Sequence, residues 1–447
     1  MADLRAMIDD ARLVEWLTTQ RWFASKTRDV AEVTVADVLT LRDDPPFGIG
    51  LLEARFYAGT HELYQLVLGV ERDRVALDAL TSPPHAAVLA QLLREQAVCD
   101  SRSGTIAFHW LPDAPALPQR TTVRPIGAEQ SNSSVVLDDA FVLKTFRRLE
   151  PGENPELEML RFLSARGFPN IAALTGWYEM QGELLTATLG IAQEYVADGR
   201  DGWELALDEL GADPERFLTR LHELGEVIGR MHTALGSDPA DPDFAPDEPA
   251  AEGLSLLTAT IDEDIERLFI TLPDDNAALA PILGRGEEIR DRLQMMSHIG
   301  TGGRLIRHHG DLHLGQTLRT RDRWVIIDFE GEPARPLTER RRKRSPLRDV
   351  AGMLRSFAYA ASASPILRSN PVPGDWELRA RETFLEGYFG CMEMSLLPTG
   401  QRAIESLLGI FELEKAVYEL RYELDHRPQW VSIPVAGIER LLEEPEA

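Results

Sequence analysis

Apolar residues in this chain alternate with polar ones over the first part and recur at helical spacing over most of the rest. That change of period predicts its organisation. A short helical pattern begins at Leu13 and runs into the cluster Gln20-Arg21-Trp22-Phe23. Alternating segments follow at Val33–Leu41, Gly50–Tyr57 and Glu62–Val70, with Ala58-Gly59-Thr60-His61 as the turn between the last two. Ala79–Val98 reads as a helix, because Leu80, Val88, Leu89, Leu92 and Leu93 return at helical spacing. A second strand-rich block opens near Thr121. There Ser134–Leu137 and Phe141–Phe146 flank Asp138-Asp139 as a hairpin, a helix covers Pro155–Arg166, and a second hairpin spans Ile171–Val196 with its turn near Gln181-Gly182. Beyond Gly199 helices are predicted at Phe217–Leu235, Leu254–Ile270 and Gly284–Met296, strand character returns near Arg304, and Leu347–Leu442 is helical again.

These elements predict an α+β protein in three parts: a strand-rich N-terminal cap unit at 1–110, a β-rich lobe with one helix at 111–198, and a helical lobe at 199–447. A length of 447 residues agrees, since one hydrophobic core rarely organises so long a chain. The stretch Gly236–Gly253 has four prolines, several aspartates and no basic residue, so it reads as an exposed loop between helices.

Charge narrows the partners. The net charge of −26 argues against a nucleic-acid or anionic-membrane partner, which would call for clustered Lys and Arg. The basic run Arg340-Arg341-Arg342-Lys343-Arg344 reads as a solvated loop near bound phosphates rather than a nucleic-acid signal. Cys99 and Cys391 stand far apart without ligand-spaced neighbours, which fits a reducing cytoplasm and disfavours a disulfide scaffold or zinc site. The N-terminus lacks the apolar core of a signal peptide, and no stretch approaches the roughly 20 apolar residues that span a bilayer.

The chemistry concentrates in Ile306-Arg307-His308-His309-Gly310-Asp311-Leu312-His313-Leu314-Gly315-Gln316, followed by Trp324-Val325-Ile326-Ile327-Asp328-Phe329-Glu330. An apolar strand ending in Asp328 holds a carboxylate rigidly at its tip. A hairpin from Leu318 through Arg321-Asp322 brings Gln316 close to it. Together a carboxylate and an amide oxygen suit a hard cation such as magnesium. Asp311 faces the same cleft in this reading, where it orients or deprotonates an attacking hydroxyl. Glu330 is a further candidate, for metal or for sugar.

His309-Gly310-Asp311-Leu312-His313 with Asp328 resembles the aminoglycoside-phosphotransferase and choline-kinase group, whose fold is that of the protein kinases; Gln316 stands where that group usually has Asn. The combination Gln20-Arg21-Trp22-Phe23-Ala24-Ser25-Lys26, Asp328-Phe329-Glu330-Gly331-Glu332-Pro333 and Arg427-Pro428-x-Trp430 looks like the actinobacterial maltokinases, over nearly the whole chain. The resemblance implies a bilobal protein-kinase-like fold with an added cap. It also implies ATP and Mg2+ as cofactors, transfer of the γ-phosphate to the anomeric hydroxyl of maltose, and association with enzymes of trehalose and glucan metabolism. A kinase for glucosamine or an aminoglycoside is the alternative, and an inactive kinase fold that serves as a binding partner is a third.

A kinase of this group needs a strand lysine on the phosphates and a helical carboxylate to steady it. Lys144 suits the first role and Glu158 the second, with Glu156 its rival. The segment Gly127-Ala128-Glu129-Gln130-Ser131-Asn132-Ser133-Ser134 should cover the phosphates through small polar groups such as Ser131, Ser133 and Ser134. The backbone at Glu194 to Val196 should meet the adenine. His232, among apolar neighbours, reads as a packed histidine. Lys415, Tyr418 and Tyr422 share a helical face that, with Trp430 and His313, could wall the sugar site.

Overall fold

The computed structural model describes residues 3–443 except 45, 72–73, 101–103, 120, 127–130, 251, 274, 300–301 and 334. The chain divides into two compact units, the first made of 1–165, 171–197 and 333–337 and the second of 166–170, 198–332 and 338–447.

The first unit holds α1 (Leu13–Thr19), β1 (Val30–Asp43), β2 (Pro46–Phe56), β3 (His61–Glu71), β4 (Arg74–Ala76), α2 (Pro83–Glu95), β5 (Val98–Asp100), β6 (Gly104–Trp110), β7 (Val123–Ile126), β8 (Ser133–Leu137), β9 (Phe141–Thr145), β10 (Arg148–Leu149), α3 (Pro155–Ala165), β11 (Leu174–Gly182) and β12 (Thr186–Glu194). Among the described residues its strands form two antiparallel-paired sheets, ordered β1-β2-β3-β10 with β4 on β3, and β5-β6-β11-β12-β9-β8-β7. Leu52, Ala54, Tyr64, Leu66 and Leu68 line the inner face of the first sheet, where they bury Trp22 and Phe23 of the early aromatic cluster. Three strands cross the expected boundary at 110. β5 and β6 fall within the expected cap span but join the second sheet, while β10 joins the first. The predicted helix to Val98 stops at Glu95, where Gln96 takes φ 48° and ends it in the left-handed region.

The second unit holds β13 (Arg200–Asp201), α4 (Gly202–Ala212), α5 (Pro214–Leu235), α6 (Gly253–Thr271), α7 (Gly286–Met296), β14 (Thr317–Arg319), β15 (Trp324–Ile326), most of α8 (Leu337–Arg340), α9 (Leu347–Arg368), α10 (Trp376–Cys391), α11 (Gln401–His426) and α12 (Ser432–Glu443). β13, β14 and β15 make a small antiparallel sheet. Helices α5 and α10 meet closely through glycines: a Cβ at Gly225 would lie 2.1 Å from the Phe384 carbonyl oxygen, and one at Gly387 2.2 Å from that of His222. Two members of the basic run are tied down by the acidic loop. Lys343 Nζ donates to the carbonyls of Pro242 and Ala245 and meets Asp247, and Arg341 meets Asp243, so the acidic loop neutralises both. No helix of the described residues is long and apolar enough to cross a membrane.

Candidate active site

In the second unit, two short segments carrying the chemistry are locked to each other by one histidine. His309 Nε2 donates to the carbonyl of Ile327 at 2.9 Å, so its Nδ1 is the acceptor for the Asp311 N–H at 3.3 Å. The strand β15 ends at Ile326, short of the expected Asp328, and Asp328 then takes φ 63°. A left-handed non-glycine residue next to a bend is a strained conformation of the kind functional sites retain. Gln316 Nε2 donates to Asp328 Oδ2 at 3.0 Å, and Ile327 N–H donates to the Gln316 carbonyl at 3.1 Å. Gln316 and Asp328 are thus brought together, as the hairpin predicts.

The loop carrying Asp311 hangs on a residue that sequence reasoning missed. Asp349, in the first turn of α9, accepts the N–H groups of His309 at 2.7 Å and Gly310 at 2.9 Å. It also meets His232 Nε2 at 3.1 Å, whose Nδ1 meets the Tyr388 hydroxyl at 3.0 Å. Burial opposes ionisation of Asp349, but its histidine neighbours and the His232 hydrogen bond outweigh it and hold the carboxyl well below the usual range. His308 beside it is pushed down to about 3 by burial and stays neutral. The available signal for Asp349 was a carboxylate amid an apolar helical stretch, which needs partners when buried.

His313 Nδ1 accepts the Gly315 N–H at 3.1 Å, and burial lowers its pKa against the pull of Asp311. Lys415 Nζ stands 3.8 Å from Asp311 Oδ1 and 5.7 Å from the centre of the Tyr418 ring. Tyr418 and Tyr422 are exposed on α11, as the sugar-wall reading requires. Trp430 is not: it packs with Leu207, Ala358 and Ile433 and stacks on Tyr359, and the Arg427 guanidinium lies 5.0 Å from Trp430 and 5.3 Å from Tyr422. The apolar surroundings supplied by α4 and α9 claim the indole for the core. Glu330 is near Arg340, which donates to its carbonyl at 3.2 Å.

In the first unit Lys144 Nζ pairs with Glu156 Oε2 at 2.8 Å, both side chains buried. The carboxylate found on Lys144 is thus Glu156, the rival that the sequence offers to Glu158. Two positions apart on α3, the side chains of Glu156 and Glu158 leave the helix about 200° apart. Asn154 fixes the helix start by accepting the Glu156 N–H at 2.8 Å. Ser134 lies directly across from Lys144 in the β8–β9 register, and its buried Oγ has no hydrogen-bond partner among the described residues. Ser133 Oγ accepts from Arg147 at 2.8 Å, and Ser131 is exposed. Gly127-Ala128-Glu129-Gln130 lie outside the described residues. Glu194 ends β12, exposed, with Val196 two residues on at the edge of the unit.

A sheet lysine paired to a helix carboxylate, and a His-Gly-Asp loop tied to a hairpin ending in Asp, define a protein-kinase-like fold with an N-terminal cap. Residues 16–114 match the maltokinase N-terminal cap domain, and residues 122–370 match the phosphotransferase enzyme family. The chain belongs to that phosphotransferase family, and it is a kinase by class. It is 30% identical over 342 residues to a glucosamine kinase of Mycolicibacterium smegmatis, covering 72% of this chain and 80% of that protein. A glucosamine kinase of Streptacidiphilus jiangxiensis is 26% identical over 339 residues, covering 72% and 74%. Among solved structures, a glucosamine kinase crystal form shares the fold with a TM-score of 0.76 at 21% identity over 99% of both chains.

Proposed function

We propose that the protein transfers the terminal phosphoryl group of ATP to the anomeric hydroxyl of maltose, giving maltose 1-phosphate and ADP. The observation that carries the acceptor is the contact between Lys415 and Asp311. A fixed cation already stands against the carboxylate that handles the acceptor. It suits a neutral polyhydroxylated sugar and disfavours an ammonium in the same place. Tyr418 and Tyr422, four residues apart on one helix face, add a stacking surface for a disaccharide.

In this reading Lys144, steadied by Glu156, holds the phosphates, while Ser131 and the hydroxyl of Ser134, across from Lys144, face their oxygens and Ser133 supports the strand from its other face through Arg147. The backbone from Glu194 to Val196 receives adenine. The acceptor oxygen bonds to the γ-phosphorus, the bond from phosphorus to the β–γ bridging oxygen breaks, and ADP leaves with the electron pair. Asp311 orients the hydroxyl and takes its proton, and His309 and Asp349 hold Asp311 in place. Asp328 and the Gln316 amide suit a magnesium ion, being the hard oxygen donors it prefers; when bound, it supplies charge neutralisation on the phosphates. His313, neutral through burial, and Glu330 offer polar contacts to the sugar. The setting is a reducing cytoplasm beside enzymes of trehalose and glucan metabolism.

Glucosamine is the second reading, favoured by the names of the two curated relatives. The cap does not separate the readings, since the shared fold spans 99% of a glucosamine kinase chain. Measuring kcat/KM for maltose, glucose, glucosamine and an aminoglycoside at saturating ATP decides, with phosphorus NMR to assign the product. Maltose should lead. A tenfold lead for glucosamine, about 1.4 kcal/mol in transition-state binding, would move the assignment to the second reading.

A further inference from the structure

Arg147 lies two residues beyond β9 and three beyond Lys144, and its side chain is fully buried. Its Nη2 donates to Asp78 at 2.6 Å, the only carboxylate paired with it among the described residues. Nη1 reaches the Gln65 carbonyl at 3.4 Å, and the guanidinium lies 4.9 Å from the centre of the Trp22 ring. Asp78, Gln65 and Trp22 all fall within the matched cap domain. Nε donates to Ser133 Oγ at 2.8 Å, at the first residue of β8. Arg147 N–H meets Asn132 Oδ1 at 3.3 Å, and Gln65 Nε2 donates to the carbonyls of Phe146 at 2.8 Å and Leu189 at 2.7 Å, within and beside the same sheet.

We infer that the cap acts as part of the nucleotide site, with Arg147 as a positioning residue held by cap groups. A buried guanidinium needs its donors and its charge satisfied. Here the cap provides the counter-charge, a carbonyl and an aromatic face, and the Nε donor pins the start of β8. The pinned residue, Ser133, pairs with Thr145, and the next residue, Ser134, pairs with Lys144. The Asp78–Arg147–Ser133 line therefore sets where the Ser134 hydroxyl and the Lys144 amine stand relative to each other. Trp22 belongs to the Gln20-Arg21-Trp22-Phe23 cluster, which this assigns to nucleotide binding at one remove. The inference rests on the reading of β8 and β9 as the phosphate-binding hairpin.

The test uses Asp78→Ala and Asp78→Asn in the full-length protein, with Ser133→Ala, leaving Lys144 and Asp311 untouched. Kinetic constants for ATP and for the sugar are measured separately, with the ADP dissociation constant by calorimetry and the melting temperature by circular dichroism. Asp78→Ala and Ser133→Ala should each raise KM for ATP and Kd for ADP about tenfold, with KM for the sugar within about twofold. Asp78→Asn, which keeps an oxygen acceptor, should recover most of the affinity. Unchanged nucleotide constants, or a fall in melting temperature with both KM values moving together, would overturn the inference by reducing Arg147 to a cap fastener. Lys144→Met is the separate control: if it leaves ADP binding intact, it is the reading of the hairpin that fails, whatever Asp78 does.

Discussion

Replacing Asp349 by Asn should disable the enzyme without touching a group that contacts substrate. The carboxylate accepts two backbone N–H groups, at 2.7 and 2.9 Å, from the residues that lead into Asp311. Hydrogen bonds to a charged acceptor are worth about 1.5–3 kcal/mol each. The amide keeps one accepting oxygen and turns an NH2 toward the other donor, so one bond is lost and one buried N–H is left unmet. A stability loss of about 2–4 kcal/mol follows. The rate should suffer more than stability suggests, because Gly310 adjoins Asp311 and takes φ 86°, a conformation the bond to Asp349 helps to hold. A shift of ~1 Å in the acceptor carboxylate costs on the order of 100-fold in turnover. Urea unfolding monitored by circular dichroism gives the first quantity, and ADP release at saturating substrates gives the second. Calorimetric nucleotide affinity should stay within about threefold of wild type, since Lys144 and Glu156 belong to the other compact unit. A variant that loses the stability but keeps wild-type kcat would refute the reasoning, since Asp349 would then prop the fold without aiming the loop.

Three further outcomes are expected. Asp328→Ala should weaken magnesium-nucleotide binding, whereas Asp311→Asn should leave it nearly intact and collapse the chemical step; equal loss of binding in calorimetry would contradict that division of roles. Glu156→Gln should lower kcat/KM for ATP far more than Glu158→Gln, because Lys144 pairs with Glu156 at 2.8 Å, and steady-state kinetics on the pair checks it. His308 has its folded pKa pushed down to about 3. Since the unfolded histidine gains a proton below about pH 6.5, this group should remove stability as pH falls from 6.5 toward 3, by up to ~1.4 kcal/mol per pH unit. Urea unfolding at pH 7.5 and 5 should show that loss in wild type and a shallower one in His308→Gln; identical slopes would exclude His308 as its source.

What could be read in the sequence was whatever has its own period or its own motif. The hairpin at Asp138-Asp139, the helix from Pro155 and the helix ending at Leu235 stand close to where periodicity puts them, because each buries one continuous apolar face. The extent of the strand before Asp328 was overestimated for a physical reason: its apolar run continues through Ile327 and Phe329, while the backbone leaves the extended region at Asp328. Apolar character reports burial and not φ. The helix α4 was missed because Gly202–Ala212 carries its apolar residues among several acids and two glycines, and the side chain of Asp201 starts it by accepting the Glu204 N–H.

The residues hardest to read act on backbone or across long separations. Lys144, Asp311 and Asp328 bring chemistry that a residue type announces. Asp349 instead satisfies backbone N–H groups, which every residue has, and Arg147 links side chains far apart in sequence. Asp349 takes the N–H groups of His309 and Gly310, 40 and 39 positions away, and Arg147 joins Asp78, 69 positions before it, to Ser133. Neither spacing is periodic, and neither partner is distinguishable in composition from a surface charge. The difference lies in burial. An aspartate or arginine placed where water cannot reach must find partners or cost several kcal/mol, so the fold is arranged to provide them. The same satisfied contacts then fix the neighbouring reactive group. Trp430 shows the converse. Its residue type suggests a sugar platform, but the indole is 8% exposed and packs against α4 and α9. The Arg427 guanidinium lies between the two rings, 5.0 Å from the centre of Trp430 and 5.3 Å from that of Tyr422.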